Sequence, residues 1–128
     1  DLYKTQVYEL VKWRNSQKPY FCKFKKTGLV PENIILKDPS AELRENQKDL
    51  DSLPDYSILD KILELLIDKN FDLHSIKKCG FNEKLIKKVW KMLKNSEFKR
   101  YQSAIGPKLS PMSFDKDRRF PITNKFRI

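Results

Sequence analysis

Ile58, Leu59, Ile62, Leu63 and Leu66 recur at i, i+1, i+4, i+5 and i+8. That spacing closes on one face of a 3.6-residue turn and on neither face of a strand, so it demands a helix over about residues 55–69. Further on, Asp72 opens a short helix that ends near Gly80. Asn82 caps another, whose stripe is Leu85, Ile86, Val89 and Leu93. Residues 55–100 therefore predict a small helical cluster. Upstream, Val7, Leu10, Val11 and Arg14 follow Thr5, read as an N-cap, and predict an amphipathic helix over 5–16 whose apolar face needs a partner outside that segment. Asn33 to Leu36, after Pro31, suit a strand or a helical turn. Residues 17–30 read as a connecting loop, 37–54 as a long exposed polar loop broken by Pro39 and Pro54, and 101–128 as an extended tail that must dock on something.

At 128 residues the chain has the size of one domain. It begins at Asp1 without Met and already looks like the start of a helix, so we expect a piece of a longer protein. No apolar run approaches the roughly 20 residues of a membrane span, and no leader opens the chain, which reads as soluble and cytoplasmic. Cys22 and Cys79 sit far apart without metal-ligand spacing, as plain thiols of a reducing compartment do. His74, the only histidine, has no nucleophile or ligand beside it and is expected to be exposed and structural. The net charge of +10 is uneven: Lys18, Lys23, Lys25 and Lys26 stand without an acid, and residues 98–128 hold eight Lys or Arg against Asp115 and Asp117. Such a field attracts phosphates, whether of a nucleotide or of a nucleic acid. A small basic helical module binding nucleic acid would use these lysines with Tyr20, Phe21, Phe24 and Phe120, although no recognition motif accompanies them. A structural interaction domain would turn the Ile58–Leu66 stripe to a partner, but such a stripe is more often core.

Four ordered segments carry a resemblance. They are Asp1-Leu-Tyr-Lys-Thr-Gln-Val-Tyr-Glu-Leu, Lys37-Asp-Pro-Ser-Ala-Glu-Leu-Arg, Asp51-Ser-Leu-Pro-Asp-Tyr-Ser-Ile-Leu-Asp, and Glu97-Phe-Lys-Arg with the ending Asp117-Arg-Arg-Phe-Pro-Ile-Thr-Asn-Lys-Phe-Arg. Together they resemble the C-terminal half of the synthetase domain of NAD synthetases, and the ending resembles the long, glutamine-dependent form. The resemblance implies an α/β fold, a doubly wound parallel sheet of the adenine nucleotide alpha hydrolase type with nucleotides at the carboxyl ends of the strands. This piece would supply the last strand and the helices after it, itself mostly helical with an extended tail. Residues 1–54 would form the nucleotide-site helix and loops, 55–100 the helical cluster, and 101–128 the tail. The implied chemistry is a ligase reaction: ATP, with Mg, activates deamido-NAD as an adenylate, and ammonia from glutamine displaces AMP. The implied partners are the rest of the synthetase and glutaminase domains, in a homo-oligomer; the fragment alone is expected to be inactive.

Residue by residue, Lys4 matches a lysine that contacts ATP, and Ser40 the Thr or Ser of the Pro-Thr-Ala-Asp-Leu pattern that does the same. Lys99 matches the lysine that binds deamido-NAD near its reacting end, where a cation holds a carboxylate and offsets developing charge; it is the expected catalytic residue. Lys37 and the segment Arg44 to Leu53 match a mobile loop that closes the site, with Lys48 as a pyrophosphate contact. Phe98 stands where short family members carry His, Leu50 where an acid is usual, and Asp55 where a second proline is usual; the lysines of 18–26 look like an insertion. The Ser-Gly-Gly-x-Asp-Ser phosphate loop and the Glu, Lys and Cys of a glutaminase are not in the chain and are expected upstream of Asp1.

Overall fold

The computed structural model describes residues 2–40, 45, 47–113 and 117–123. Six α-helices are present among them: α1 (Lys4–Ser16), α2 (Glu32–Leu36), α3 (Tyr56–Ile67), α4 (Leu73–Lys78), α5 (Glu83–Asn95) and α6 (Glu97–Tyr101). A single 3-10 turn, Asp49–Asp51, interrupts the loop before α3. The chain divides into two compact units, 2–58 and 59–128, with the division inside the first turn of α3.

In the unit 2–58, α1 starts a residue earlier than expected, and Tyr3 rather than Thr5 is the N-cap. The physical reason lies in Gln6, whose side-chain oxygen accepts the Tyr3 backbone N–H at 2.9 Å, satisfying a donor at the helix start. Two residues of the last turn organise the loop that follows. Arg14 donates to the carbonyls of Gln17 at 2.8 Å, of Lys26 at 3.1 Å and of Phe24. Asn15 donates to the Val30 carbonyl at 2.8 Å and accepts the Val30 N–H at 3.0 Å. Gly28, at φ +62, turns the chain so that its own N–H reaches the Asn15 carbonyl at 2.9 Å. The apolar run after Pro31 is the helical turn α2 and not a strand, because Pro31 starts it at φ −57 and the Lys37 N–H closes on Asn33 at 3.0 Å. No strand occurs among the described residues, so the expected last strand of a sheet is not formed by this segment.

The unit 59–128 holds the core. Leu59, Ile62, Leu66 and Ile67 of α3, Ile76 of α4, and Ile86, Val89 and Leu93 of α5 are all buried. Ile58 stays exposed and Ile67 takes its place in the core, a small rotation of the expected stripe. Asn70 adopts φ +51, which asparagine tolerates, and lets the Phe71 N–H reach back to the Leu65 carbonyl at 2.8 Å, ending α3. Asp72 caps α4 by accepting the Ser75 N–H, Gly80 turns the chain at φ +92, and Asn82 caps α5 by accepting from Lys84 and Leu85, all as the sequence predicts. His74 is exposed.

The one-turn helix α6 is not visible as a periodic stripe. It is held by a buried ion pair, Glu97 with Arg100, whose guanidinium also donates to the Leu93 carbonyl at 2.8 Å. Beyond it, the described tail residues carry turns and bends but no helix or strand, and the Asp-Arg-Arg-Phe segment fastens them. Asp117 accepts from the Ser113 N–H at 2.7 Å and the Lys108 ammonium at 2.6 Å. Arg118 donates to the Leu66 carbonyl at the end of α3, and its guanidinium lies 5.5 Å from the Trp90 ring and 5.6 Å from Phe120. Trp90 and Phe120 meet edge to face at 5.3 Å.

Candidate functional site

Within the unit 2–58, a cleft of about 340 Å³ opens between the first turns of α1 and the loop that follows α2. Val7 and Val11 of α1, with Ile34 and Ile35 of α2, form its apolar wall; Lys4, Lys37 and Ser40 stand on it as polar groups. The volume lies within the range that holds small ligands, and an apolar wall with a few converging polar groups is the usual composition of such pockets. Three residues singled out in the sequence thus share one cavity, although 33 positions separate Lys4 from Lys37.

The chain places them by ordinary local rules. Lys4 is the first residue of α1, and its ammonium lies 5.4 Å from the Tyr8 ring one turn on and 5.9 Å from the Tyr56 ring. Ring faces hold a cation in place without neutralising it, which leaves its charge available to an anion. The Tyr56 hydroxyl donates to Asp49 Oδ2 at 2.5 Å, and the Asp49 N–H donates to the Pro39 carbonyl at 2.9 Å, which closes the loop beside Ser40. Lys37 follows α2 directly as its C-cap. Tyr8, Tyr56, Asp38 and Asp49 were not anticipated as site residues. The sequence signals for them are the i, i+4 spacing of Lys4 and Tyr8 and the position of Tyr56 in the Asp-Ser-Leu-Pro-Asp-Tyr segment.

Lys48 does not line this cleft. Its ammonium sits 2.7 Å from Asp38 Oδ2 at the surface, and its backbone N–H donates to Asp51 at 2.9 Å. The hydrogen bond it donates to Asp38 holds the lysine above its ordinary pKa, with Asp51 adding to the effect. Asp38 is itself a cleft residue, so Lys48 touches the rim through it. The remainder of the expected closing loop, including Arg44, lies partly outside the described residues.

Lys99 belongs to the other unit. It is exposed on α6, with its backbone N–H on the Ser96 carbonyl at 3.0 Å. Magnesium is expected from the resemblance. Among the described residues no three His, Cys, Asp or Glu side chains gather, and the two cleft carboxylates are engaged by Lys48 and Tyr56. Both cysteines are free thiols, and no helix of the described residues is long and apolar enough to cross a membrane.

The cleft thus sets two ammonium groups, a hydroxyl and two carboxylates against an apolar wall, and comparison with known proteins supplies its family. The NAD synthase family matches residues 1–103. Over 127 residues, 99% of its length, the chain is 45% identical to the glutamine-dependent NAD(+) synthetase of Rhodobacter capsulatus. It is 43% identical over the same length to that of Thermotoga maritima. A solved structure of glutamine-dependent NAD+ synthetase from Acinetobacter baumannii in complex with adenosine diphosphate superposes with a TM-score of 0.54 at 35% identity, covering 97% of this chain and 20% of that one. The chain belongs to the NAD synthase family. It spans 23% and 21% of the length of the R. capsulatus and T. maritima relatives.

Proposed function

We propose that the chain is the C-terminal portion of the synthetase domain of a glutamine-dependent NAD synthetase, a cytoplasmic homo-oligomer that amidates deamido-NAD to NAD. In this reading the piece adds helices to a doubly wound parallel sheet contributed by the rest of the protein. The exposed α1 side chains Leu10 and Trp13, which lie off the cleft, are the face that meets it. Residues 1–54 serve the nucleotide, 55–100 form the helical support, and 101–128 the tail.

The observation that carries the reading is the gathering of Lys4, Lys37 and Ser40 on one cleft, in a chain similar to one solved in complex with adenosine diphosphate. Lys4 contributes a point charge to ATP phosphate oxygens and Ser40 a hydroxyl donor. The nicotinate carboxylate of deamido-NAD attacks the α-phosphorus of ATP, the bond to the pyrophosphate oxygen breaks, and an acyl adenylate forms. Ammonia released from glutamine then adds to the acyl carbon, gives up one N–H proton to water, and AMP leaves with its bonding pair. Lys99 holds the substrate's reacting end while charge moves through it. Lys37 and Lys48 belong to the loop that closes over the phosphates.

The test is amidation by the full-length protein. Supplied with ATP, deamido-NAD and glutamine, it should form NAD with AMP and pyrophosphate in equal amounts, and the isolated chain should form none. Absence of ATP-dependent NAD formation by the full-length protein would overturn the reading.

A further inference from the structure

A one-turn helix does not hold its own orientation; tertiary contacts must do so. In α6 they converge on Glu97, a carboxylate only 1% exposed, which no step of the proposed reaction uses. Its Oε2 accepts from both Nε, at 3.2 Å, and Nη2 of Arg100, and Arg100 also donates to Ser96 Oγ at 3.2 Å and the Leu93 carbonyl at 2.8 Å. The other oxygen, Oε1, is buried without a hydrogen bond and faces Arg119 Nη1 of the tail at 3.9 Å. Arg119 also lies over the Tyr101 ring at 4.2 Å, so it touches the first and the last residue of α6. Desolvating a carboxylate and leaving one oxygen unbonded costs stability, which points to a demand on orientation. Positions 97 and 99 are about 200° apart around a helix, so burying Glu97 turns Lys99 outward, and Lys99 is exposed.

We infer that Glu97, held by Arg100 and by Arg119 of the tail, is a positioning residue that fixes the rotation of α6 and thereby presents Lys99 to the anionic end of deamido-NAD. This rests on Lys99 being a substrate contact. Arg119 of the tail thus acts on the substrate through α6.

The experiment is a double-mutant cycle in the full-length enzyme. Glu97→Gln should raise KM for deamido-NAD about 10-fold and leave KM for ATP within about twofold, with Glu97→Asp recovering part of the loss. Arg119→Ala, at an exposed residue, should give about a threefold rise. In a Lys99→Ala background both changes should add less than about twofold, because the group they position is gone. Equal penalties in both backgrounds would make the network merely structural and overturn the inference. So would wild-type KM in both Glu97→Gln and Arg119→Ala while Lys99→Ala is impaired, an outcome that leaves the substrate role of Lys99 standing. Wild-type behaviour of Lys99→Ala would remove that role and the inference with it. If Glu97→Gln does not fold, the Arg119→Ala and Lys99→Ala cycle decides alone.

Discussion

The units 2–58 and 59–128 are of similar length and opposite construction. Among the described residues the second buries eight apolar side chains from three helices, while the first buries none and leaves Leu10, Trp13, Phe21 and Leu36 exposed. What order the first unit has is polar: Arg14 and Asn15 tie the loop 17–30 by its carbonyls and amides, and Tyr56, Asp49 and Pro39 close the loop at the cleft. The half with the cleft is therefore the half without a core of its own. A binding surface can be shaped by hydrogen bonds, but its stability has to come from apolar area buried elsewhere.

That contrast can be broken by mutation, most sharply in the core. Ile62→Ala should cost about 2–5 kcal/mol by denaturant unfolding of the chain, whereas Leu10→Ala on the exposed face of α1 should cost less than about 1 kcal/mol. Comparable losses at the two sites would mean that α1 already packs as a core helix. Next in size, Arg118→Ala should remove about 1–3 kcal/mol, since it strips a carbonyl partner from the end of α3 and a cation from the Trp90 and Phe120 rings. Trp90 emission should change with it; unaltered stability and emission would show that the tail is not fastened there.

Smallest are the pH effects, which run in opposite directions in the two units. Hydrogen bonds from Lys77 and Lys87 pull the Glu83 carboxyl from the ordinary 4.5 down to about 2. Because the folded value is the lower one, this contribution is complete above about pH 4.5 and fades as pH falls through about 2. Lys48 is shifted upward by Asp38, so its contribution is complete below the ordinary lysine value and fades only as alkali passes the raised one. Titration of both groups by NMR checks the signs, and a Glu83 midpoint at 4.5 or a Lys48 midpoint at or below 10.5 would contradict them.

The helices with a clear stripe or cap were legible in the sequence. Asp72, Asn82 and the α5 stripe do in three dimensions what their spacing announces. Segments too short for a period, or governed by long-range contacts, were not. Asn33 to Leu36 is too short for periodicity to separate helix from strand, and the choice falls to Pro31. The helix α6 owes its existence to a buried carboxylate meeting guanidiniums from its own turn and from the tail, a contact no local pattern encodes. Lys4 and Ser40 entered through family resemblance, and what the structure adds is that they share a cavity. The carboxylates and rings around them, Asp38, Asp49, Tyr8 and Tyr56, become site residues only when the loop folds back at Pro39.

The central claim is that the two units serve two different substrates. The measurement that tests it most directly is the pair of Michaelis constants in full-length Lys4→Ala and Lys99→Ala enzymes. Lys4→Ala should raise KM for ATP about 10-fold and leave that for deamido-NAD within about twofold, and Lys99→Ala should do the reverse. If both variants weaken the same substrate, or neither weakens any, the division of labour between the cleft and α6 is wrong.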